Sequence, residues 1–265
     1  MSNRLSADIG GTFTDLVLLD DAGHLHVEKT PSTPGDFKEG VLNGIQKTLT
    51  AVSKGRNGSG AIALKDIEYF VHGATVVLNA LLQRKLPATA LITTEGFRDV
   101  LEIMRTNNPF MYDMRYIKPA PLIARRLRFE VTERMLHTGD VLTPLDEASV
   151  RAAAAKLKQS GATTVAVCLL HAYANTAHER RVREIILEAC PGIVVCLSSE
   201  VAGEMREFER TSTTVINAAT VPIIASYLDR LSGELRGLGL QRDLYVMQSN
   251  GGVITSHVAR DLPVR

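Results

Sequence analysis

The sequence predicts an α/β protein: a mixed sheet with helices on its faces, followed by a second α/β subdomain. Two observations predict it. Three strand-like runs open the chain and give way to alternating helix and strand patterns, and a separate α/β series fills residues 145–200. Hairpin-linked strands pair antiparallel while a crossover returns parallel, so this order closes into a mixed sheet. A third observation, the turn Asp8-Ile9-Gly10-Gly11-Thr12-Phe13-Thr14-Asp15, says what one end of that sheet is for.

The elements follow in order. Arg4 to Ile9, Thr14 to Leu19, with its apolar run Leu16 to Leu19, and His24 to Thr30 are strand-like, and Asp20-Asp21-Ala22-Gly23 turns the second into the third. Pro31 and Pro34 break the chain before a helical pattern from Phe37 to Leu49, apolar at Val41, Leu42, Ile45 and Leu49. Lys54 to Gly60 is a Gly/Ser-rich loop. Strand Ile67 to His72, helix Ala74 to Arg84, strand Ala88 to Thr93 and a short helix from Gly96 come next. This order matches one lobe of the ribonuclease-H-like fold, in which the first hairpin turn points into a nucleotide cleft. Thr106 to Pro121 has weak periodicity and reads as a functional loop or a crossing between subdomains. Two strands, Phe129 to Val131 and Met135 to Leu142, lead to a helix from Glu147 to Gln159, capped by Asp146 and stopped at Gly161. Strand Thr163 to Leu170, helix Thr176 to Ala189 and strand Ile193 to Leu197 complete the second block. Glu204 to Arg236 is helical, with Pro222 expected to kink or divide it, and strand Leu244 to Met247 runs into Gln248-Ser249-Asn250-Gly251-Gly252.

The first turn carries the chemistry. Two glycines permit positive φ and close approach of a ligand to the backbone, and successive N–H groups in such a turn form a concavity suited to an anion. Thr12 and Thr14 add hydroxyl donors. Asp8 and Asp15 bracket the turn with carboxylates, which repel phosphate unless a hard cation such as Mg²⁺ lies between them. Together these groups read as a metal–nucleotide site; the competing reading is an ordinary hairpin with a polar tip.

Composition sets limits. The chain has 265 residues, 45% hydrophobic and 22% charged, as a globular domain or two would. A formal net charge of +1 argues against nucleic-acid binding driven by charge, and the basic run Arg125-Arg126-Leu127-Arg128 reads as a strand edge or an internal ion pair. No apolar run reaches membrane-spanning length, and three cysteines without framework spacing exclude a disulfide scaffold. A cytoplasmic protein is expected.

Further candidates lie at strand ends. His72-Gly73-Ala74-Thr75 ends a strand and opens a helix, whose free N–H groups suit an anion. His72 is read either as an acid/base or as a satisfied core histidine, and Thr75 either as a substrate contact or as an N-cap, with Asn79 one helical turn away. Arg105 and Asn107 could reach a substrate carboxylate; Glu95 and Arg98 fit an ion pair equally well. Asn250, at a strand end before two glycines, fits a loop facing the cleft.

Several of these segments resemble the hydantoinase/oxoprolinase proteins, whose relatives include acetone-carboxylase-type subunits. The likeness is carried by residues 8–15, His72-Gly73-Ala74-Thr75-Val76-Val77-Leu78-Asn79, Thr93-Thr94-Glu95-Gly96-Phe97-Arg98-Asp99, Leu169-Leu170-His171-Ala172-Tyr173, Glu207-Phe208-Glu209-Arg210-Thr211 and residues 248–252. The resemblance implies an actin-like, sugar-kinase-like ATPase that opens a cyclic amide such as 5-oxoproline or a hydantoin. Phosphorylating the lactam oxygen turns a poor electrophile into one that water can attack. Carried over by position, Gly10, Gly11, Thr12, Thr14 and Asp15 would serve the phosphates of ATP, and Asp8 would hold Mg²⁺. Asp8, Thr12 and His72 are the expected catalytic residues; Thr75, Asn79, Arg105 and Asn250 are expected at the substrate. An activating subunit of a carboxylase, with a partner subunit in a hetero-oligomer, is the alternative; an inactive lobe that only binds partners is another. A second Asp-x-Gly-Gly-Thr hairpin is missing, since Gly-Gly recurs only at 251–252. The expected division is therefore a lobe over 1–105, a second α/β block over 106–200, and over 201–265 a helical segment with the start of a truncated second lobe.

Overall fold

A computed structural model describes residues 2–33, 37–55, 61–106, 110 and 112–265. Asn107 and residues 56–60 of the expected Gly/Ser-rich loop lie outside the described residues. In chain order the elements begin with β1 (Asn3–Ile9), β2 (Phe13–Leu19), β3 (Leu25–Pro31), α1 (Phe37–Gly55), β4 (Ile67–Ala74) and α2 (Val76–Leu82). There follow β5 (Thr89–Thr94), α3 (Val100–Ile103), β6 (Arg128–Val131), β7 (Arg134–Met135), β8 (Val141–Thr143), α4 (Glu147–Gln159) and β9 (Thr164–Cys168). The last are α5 (Ala177–Ala189), β10 (Val194–Leu197), α6 (Ser198–Val201), α7 (Glu207–Gly237), β11 (Leu244–Met247), β12 (Val253–Thr255) and α8 (Ser256–Asp261).

The chain forms two compact units. The first joins Met1–Lys85 to Ile223–Pro263, and the second is Leu86–Pro222. The first is built on a six-stranded mixed sheet of order β12-β11-β4-β1-β2-β3. In it β1 pairs antiparallel with β2 and parallel with β4, and β11 runs parallel to β4. This is the ribonuclease-H-like arrangement. Alternation sets its faces: Leu5, Ala7 and Ile9 of β1 lie opposite Leu18, Leu16 and Thr14 of β2, and all six are buried. They share a core with Val41 and Ile45 of α1 and Leu228 and Leu231 of α7. Two glycines let α1 lie close to this hairpin. A Cβ on Gly44 would stand 2.2 Å from Leu16 Cδ1, and one on Gly40 3.3 Å from Thr14 Oγ1. The alternate positions of β1 and β2 lie on the other face, half-buried at Ser6, Val17 and Leu19 and exposed at Asp8 and Asp15.

The second unit contains a four-stranded parallel sheet of order β10-β9-β5-β6. Ala90, Ile92, Val165 and Val167 pack in one cluster with Leu157 of α4 and Ile186 of α5. On the other face Thr211 and Asn217 of α7 donate to Cys168 Sγ and Cys196 Sγ. Asp146 caps α4, accepting from Ala148 N at 3.0 Å. The basic run forms internal ion pairs: Arg125 forks onto Asp99, and buried Arg128 reaches Glu102 at 2.8 Å. Among the described residues no helix is long and apolar enough to cross a membrane.

Several expected boundaries are corrected. The strand after α2, here β5, belongs to the second sheet; every residue of it is buried, which suits the centre of a parallel sheet. The division at 105 and 200 therefore gives way to one at 85 and 222. Residues 223–263 do not start a second lobe: β11 supplies the next strand of the first sheet, beside β4. Pro222 sits within an unbroken 31-residue helix, and the boundary between the units falls directly after it. The lost N–H of Pro222 removes one ladder bond, and Val221 and Ile224 beside it remain buried. The expected strand over Met135 to Leu142 is a small hairpin, β7 and β8, which turns at Gly139 with φ 91°.

Candidate functional site

In the first unit β1, β4 and β11 are parallel, so their carboxyl ends share one edge of the sheet. That edge is where open α/β sheets take ligands. It collects the Gly10–Thr12 turn after β1, the start of α2 after β4, and the Gln248–Gly252 turn after β11.

The first turn is held from inside. Gly10 N donates to Phe13 O at 2.9 Å, Ser32 N donates to Thr12 O at 2.9 Å, and Ser32 Oγ donates to Gly10 O at 2.9 Å. Thr14 is buried, and its hydroxyl lies 3.0 Å from Ser32 Oγ. Thr14 thus braces the turn from the core side, in place of the outward donor role expected of it. Ser32 was not singled out in the sequence; a serine just after a strand gives no local signal of a contact 22 residues back. Neither Gly10 nor Gly11 adopts a positive φ. Gly10 is needed for space instead, since a Cβ there would stand 3.0 Å from Phe13 O. The Gly11 and Thr12 N–H groups have no partner among the described residues, and both residues are exposed.

The carboxylates stand beside this turn. Asp8 and Asp15 are directly opposite each other across β1 and β2, an arrangement that is unfavourable for like charges. Lys29 of β3 offsets part of it, 3.0 Å from Asp15. Asp8 has no hydrogen-bond or ion-pair partner among the described residues. Its carboxylate leans over Gly73, paired with it on β4: a Cβ on Gly73 would come within 2.7 Å of Asp8 Oδ1.

Thr75 and Asn79 approach the same edge. Thr75 Oγ1 donates to Ile9 O, and Asn79 Nδ2 to Thr75 Oγ1, both at 3.3 Å. Asn250 shapes the β11–β12 turn by accepting from Gly252 N at 2.7 Å.

His72 is a core residue. The Ala7 carbonyl, 3.1 Å from Nδ1, can only accept, so Nδ1 carries the proton and Nε2 accepts from Tyr227 Oη at 2.7 Å. Burial holds its pKa down to about 4 against a weaker pull upward from the Ala7 carbonyl. With both nitrogens engaged and no exposure, it has no free atom to offer a substrate, and the acid/base expectation gives way to the structural one. Arg105 belongs to the second unit, where it is ion-paired with Glu209 and holds that carboxyl below its usual range.

The donor set suits a hard cation. Mg²⁺ keeps several waters and takes one or two carboxylates plus phosphate oxygens. Asp8 and Asp15 offer two oxygen donors, and among the described residues no cluster of three or more His, Cys, Asp or Glu could cage a metal. These carboxylates could hold such an ion only together with ligands from outside the chain, such as water or phosphate oxygens.

Fold and turn define a lobe of the actin-like ATPase class. Residues 4–190 match the hydantoinase/oxoprolinase N-terminal region, and residues 210–265 match hydantoinase/oxoprolinase. The chain belongs to the hydantoinase/oxoprolinase family. It is 40% identical to an uncharacterized protein of Methanocaldococcus jannaschii, over 99% of this chain and 38% of that one. It is 35% identical to the caprolactamase subunit alpha of Pseudomonas jessenii, over 98% of this chain and 37% of the subunit. The crystal structure of that organism's ATP-dependent caprolactamase matches with a TM-score of 0.84 and 34% identity, over 94% of this chain and 36% of the other. A nucleotide-free structure of acetone carboxylase matches with a TM-score of 0.84 and 30% identity, over 98% and 38%. The chain thus spans little more than a third of the length of these relatives.

Proposed function

We propose that this chain supplies the phosphate-binding lobe of an enzyme that uses ATP to activate the carbonyl of a cyclic amide of the hydantoin or 5-oxoproline type. The observation that carries the reading is the pair of N–H groups at Gly11 and Thr12 beside the carboxylate of Asp8, all without a partner among the described residues. Phosphoryl transfer asks a protein mainly for positioning and charge neutralisation, and this edge offers amides, a hydroxyl and carboxylates without a nucleophile. The amides of Gly11 and Thr12 face the terminal phosphates of ATP, with the Thr12 hydroxyl beside them, while the Gly10 N–H holds the turn through Phe13 O. Thr14, through Ser32, and Asp15, through Lys29, hold the turn in shape. Asp8, with Asp15 opposite, would hold Mg²⁺, which would supply neutralisation of phosphate charge. Thr75, Asn79 and Asn250 stand at the same edge for the reacting amide.

In the reaction, the γ-phosphoryl group moves from ATP to the lactam oxygen and ADP leaves. Water then adds at the activated carbon, the C–N bond opens to free the amine and leave an acyl phosphate, and a second water cleaves that to carboxylate and phosphate. The caprolactamase relative supports an amide substrate and, being a subunit, a hetero-oligomeric assembly. The acetone carboxylase likeness supports the second reading, an activating subunit that phosphorylates a small carbonyl substrate for carboxylation. Three buried free cysteines suit a reducing, cytoplasmic setting.

The test is release of ADP and phosphate by the protein together with the subunits that co-purify with it. Turnover with 5-oxoproline or hydantoins supports the first reading, and turnover with small ketones and bicarbonate the second. Silence with all of them, with no Mg-ATP binding by calorimetry, leaves a lobe that only binds partners and overturns both.

A further inference from the structure

The basic run Arg125-Arg126-Leu127-Arg128 makes a single turn, Arg125–Leu127, that leads into β6, an edge strand of the second sheet. Two of its three arginines are spent on carboxylates. Arg125 forks onto Asp99. Arg128, with a side chain only 1% exposed, reaches Glu102 at 2.8 Å and lies 3.7 Å from Asp99. Arg126 differs: it is exposed and has no partner among the described residues.

Arg126 borders a cavity of about 370 Å³ at the amino end of β6. Arg98, Arg128 and Lys156 line it as well, and Glu130 is the single carboxylate among the described residues there. That carboxylate is already engaged, since Glu130 Oε1 accepts from Gly96 N at 2.8 Å. Lys156, exposed on α4, has no partner among the described residues. Arg98 donates through Nη2 to Arg125 O at 3.3 Å, and it acts on Asp99 less strongly than Arg125 and Arg128 do. Two side chains of the lining, Arg98 at Nε and Arg128 at Nη1, carry a buried N–H with no acceptor. Four cations against one carboxylate leave a surplus of positive charge around a recess, and such a recess concentrates anions.

The space comes from α4. Ser149, Ala152, Ala153 and Lys156 recur at the three- and four-residue spacing of one helix face, and the alanines leave the cavity open. The Ser149 hydroxyl is used within the fold, donating to Asp146 O and accepting from Thr132 N. Phe129 of β6 supplies an apolar wall.

We infer that this cavity binds a dianionic phosphate group, as inorganic phosphate or as a small phosphate monoester. Its oxygens meet Arg126, Lys156 and Arg98, and guanidinium forks suit that geometry. Buried Arg128 adds charge from the wall without touching the ligand. An ester body lies against Phe129, Ala152 and Ala153. Three cations without a close carboxylate favour a dianion over a single carboxylate. The site stands on the second unit alone and needs neither nucleotide nor the turn at Gly10–Thr12.

The test titrates the ¹⁵N-labelled chain with inorganic phosphate, phenyl phosphate and benzoate, at about pH 8, where the phosphates are dianions. Ionic strength is held constant with NaCl, and magnesium and nucleotide are left out. The expected result is saturable amide shifts at residues 96–98, 126–130 and 149–156 with both phosphates, and benzoate binding roughly tenfold or more weaker. Tighter binding of phenyl phosphate than of inorganic phosphate supports the site with a monoester as its ligand, and equal binding supports it with free phosphate. The double variant Arg126→Gln/Lys156→Gln, both at exposed positions, keeps the parental thermal midpoint and weakens phosphate roughly tenfold. No saturable shift in these segments, benzoate as tight as phenyl phosphate, or parental phosphate affinity in the double variant overturns the inference. The Gly11 and Thr12 amides in the same spectra report phosphate at the first turn, so the two sites are read separately.

Discussion

Gly73→Ala isolates the role of Asp8 without touching it. A Cβ at residue 73 would stand 2.7 Å from Asp8 Oδ1 and 3.3 Å from its Cγ, so the carboxylate must swing away. Displacing it from its rotamer costs about 0.5–1.5 kcal/mol, while removing a glycine from a strand returns about 0.5–1 kcal/mol. Stability therefore changes by less than about 1 kcal/mol, which urea unfolding will show. Nucleotide binding responds more strongly. If Asp8 holds the metal on the phosphates, losing that charged contact costs about 1.5–3 kcal/mol, or roughly ten- to a hundredfold in Mg-ADP affinity by calorimetry. The two residues act through one carboxylate, so Gly73→Ala should add nothing to Asp8→Ala in a double-mutant cycle. Parental affinity in Gly73→Ala, or a double mutant that loses the sum of both effects, refutes this reasoning.

Three further predictions follow from the same unit. His72, held neutral to about pH 4, binds no proton in the folded chain where an unfolded histidine, titrating near 6.5, does. The unfolded state thus takes up more protons between those values, and stability falls with decreasing pH across that window by roughly 3 kcal/mol from this group. Urea unfolding from pH 4 to 7 will show the slope, and His72→Gln should flatten it; an unchanged slope assigns the pH dependence elsewhere. Ser32→Ala removes the hydroxyl shared by Gly10 O and Thr14 Oγ1, and should cost about 1–3 kcal/mol while broadening the turn's amide resonances. Gly44→Ala drives a methyl onto Leu16 and should cost about 1–3 kcal/mol by thermal denaturation despite the better helix propensity of alanine.

Much of the first unit was legible because its signals are local. Alternation along β1, the apolar run of β2, the Asp20–Gly23 turn and the helical period of Val41, Leu42, Ile45 and Leu49 each sit within a few residues. That Asp8 and Asp15 bracket the turn was also plain, though their direct pairing came only with the register. What escaped reading depended on distant segments. β5 reads as the next strand of the first sheet because helix–strand alternation continues through it; only its pairing with β9 assigns it elsewhere. β11 joins β4 across more than 170 residues, which no local pattern records. His72 was ambiguous for the same reason, since its partner Tyr227 is 155 residues away. The glycines of the turn were expected to need positive φ, whereas a close carbonyl sets the constraint at Gly10.

The central claim is that the turn between β1 and β2 receives the phosphates of ATP. Amide shifts of Gly10, Gly11 and Thr12 during titration with Mg-ADP test it directly. The account predicts that these three move together and saturate with one affinity, and that Asp8→Ala weakens that affinity. Nucleotide that binds while these amides stay still would contradict it.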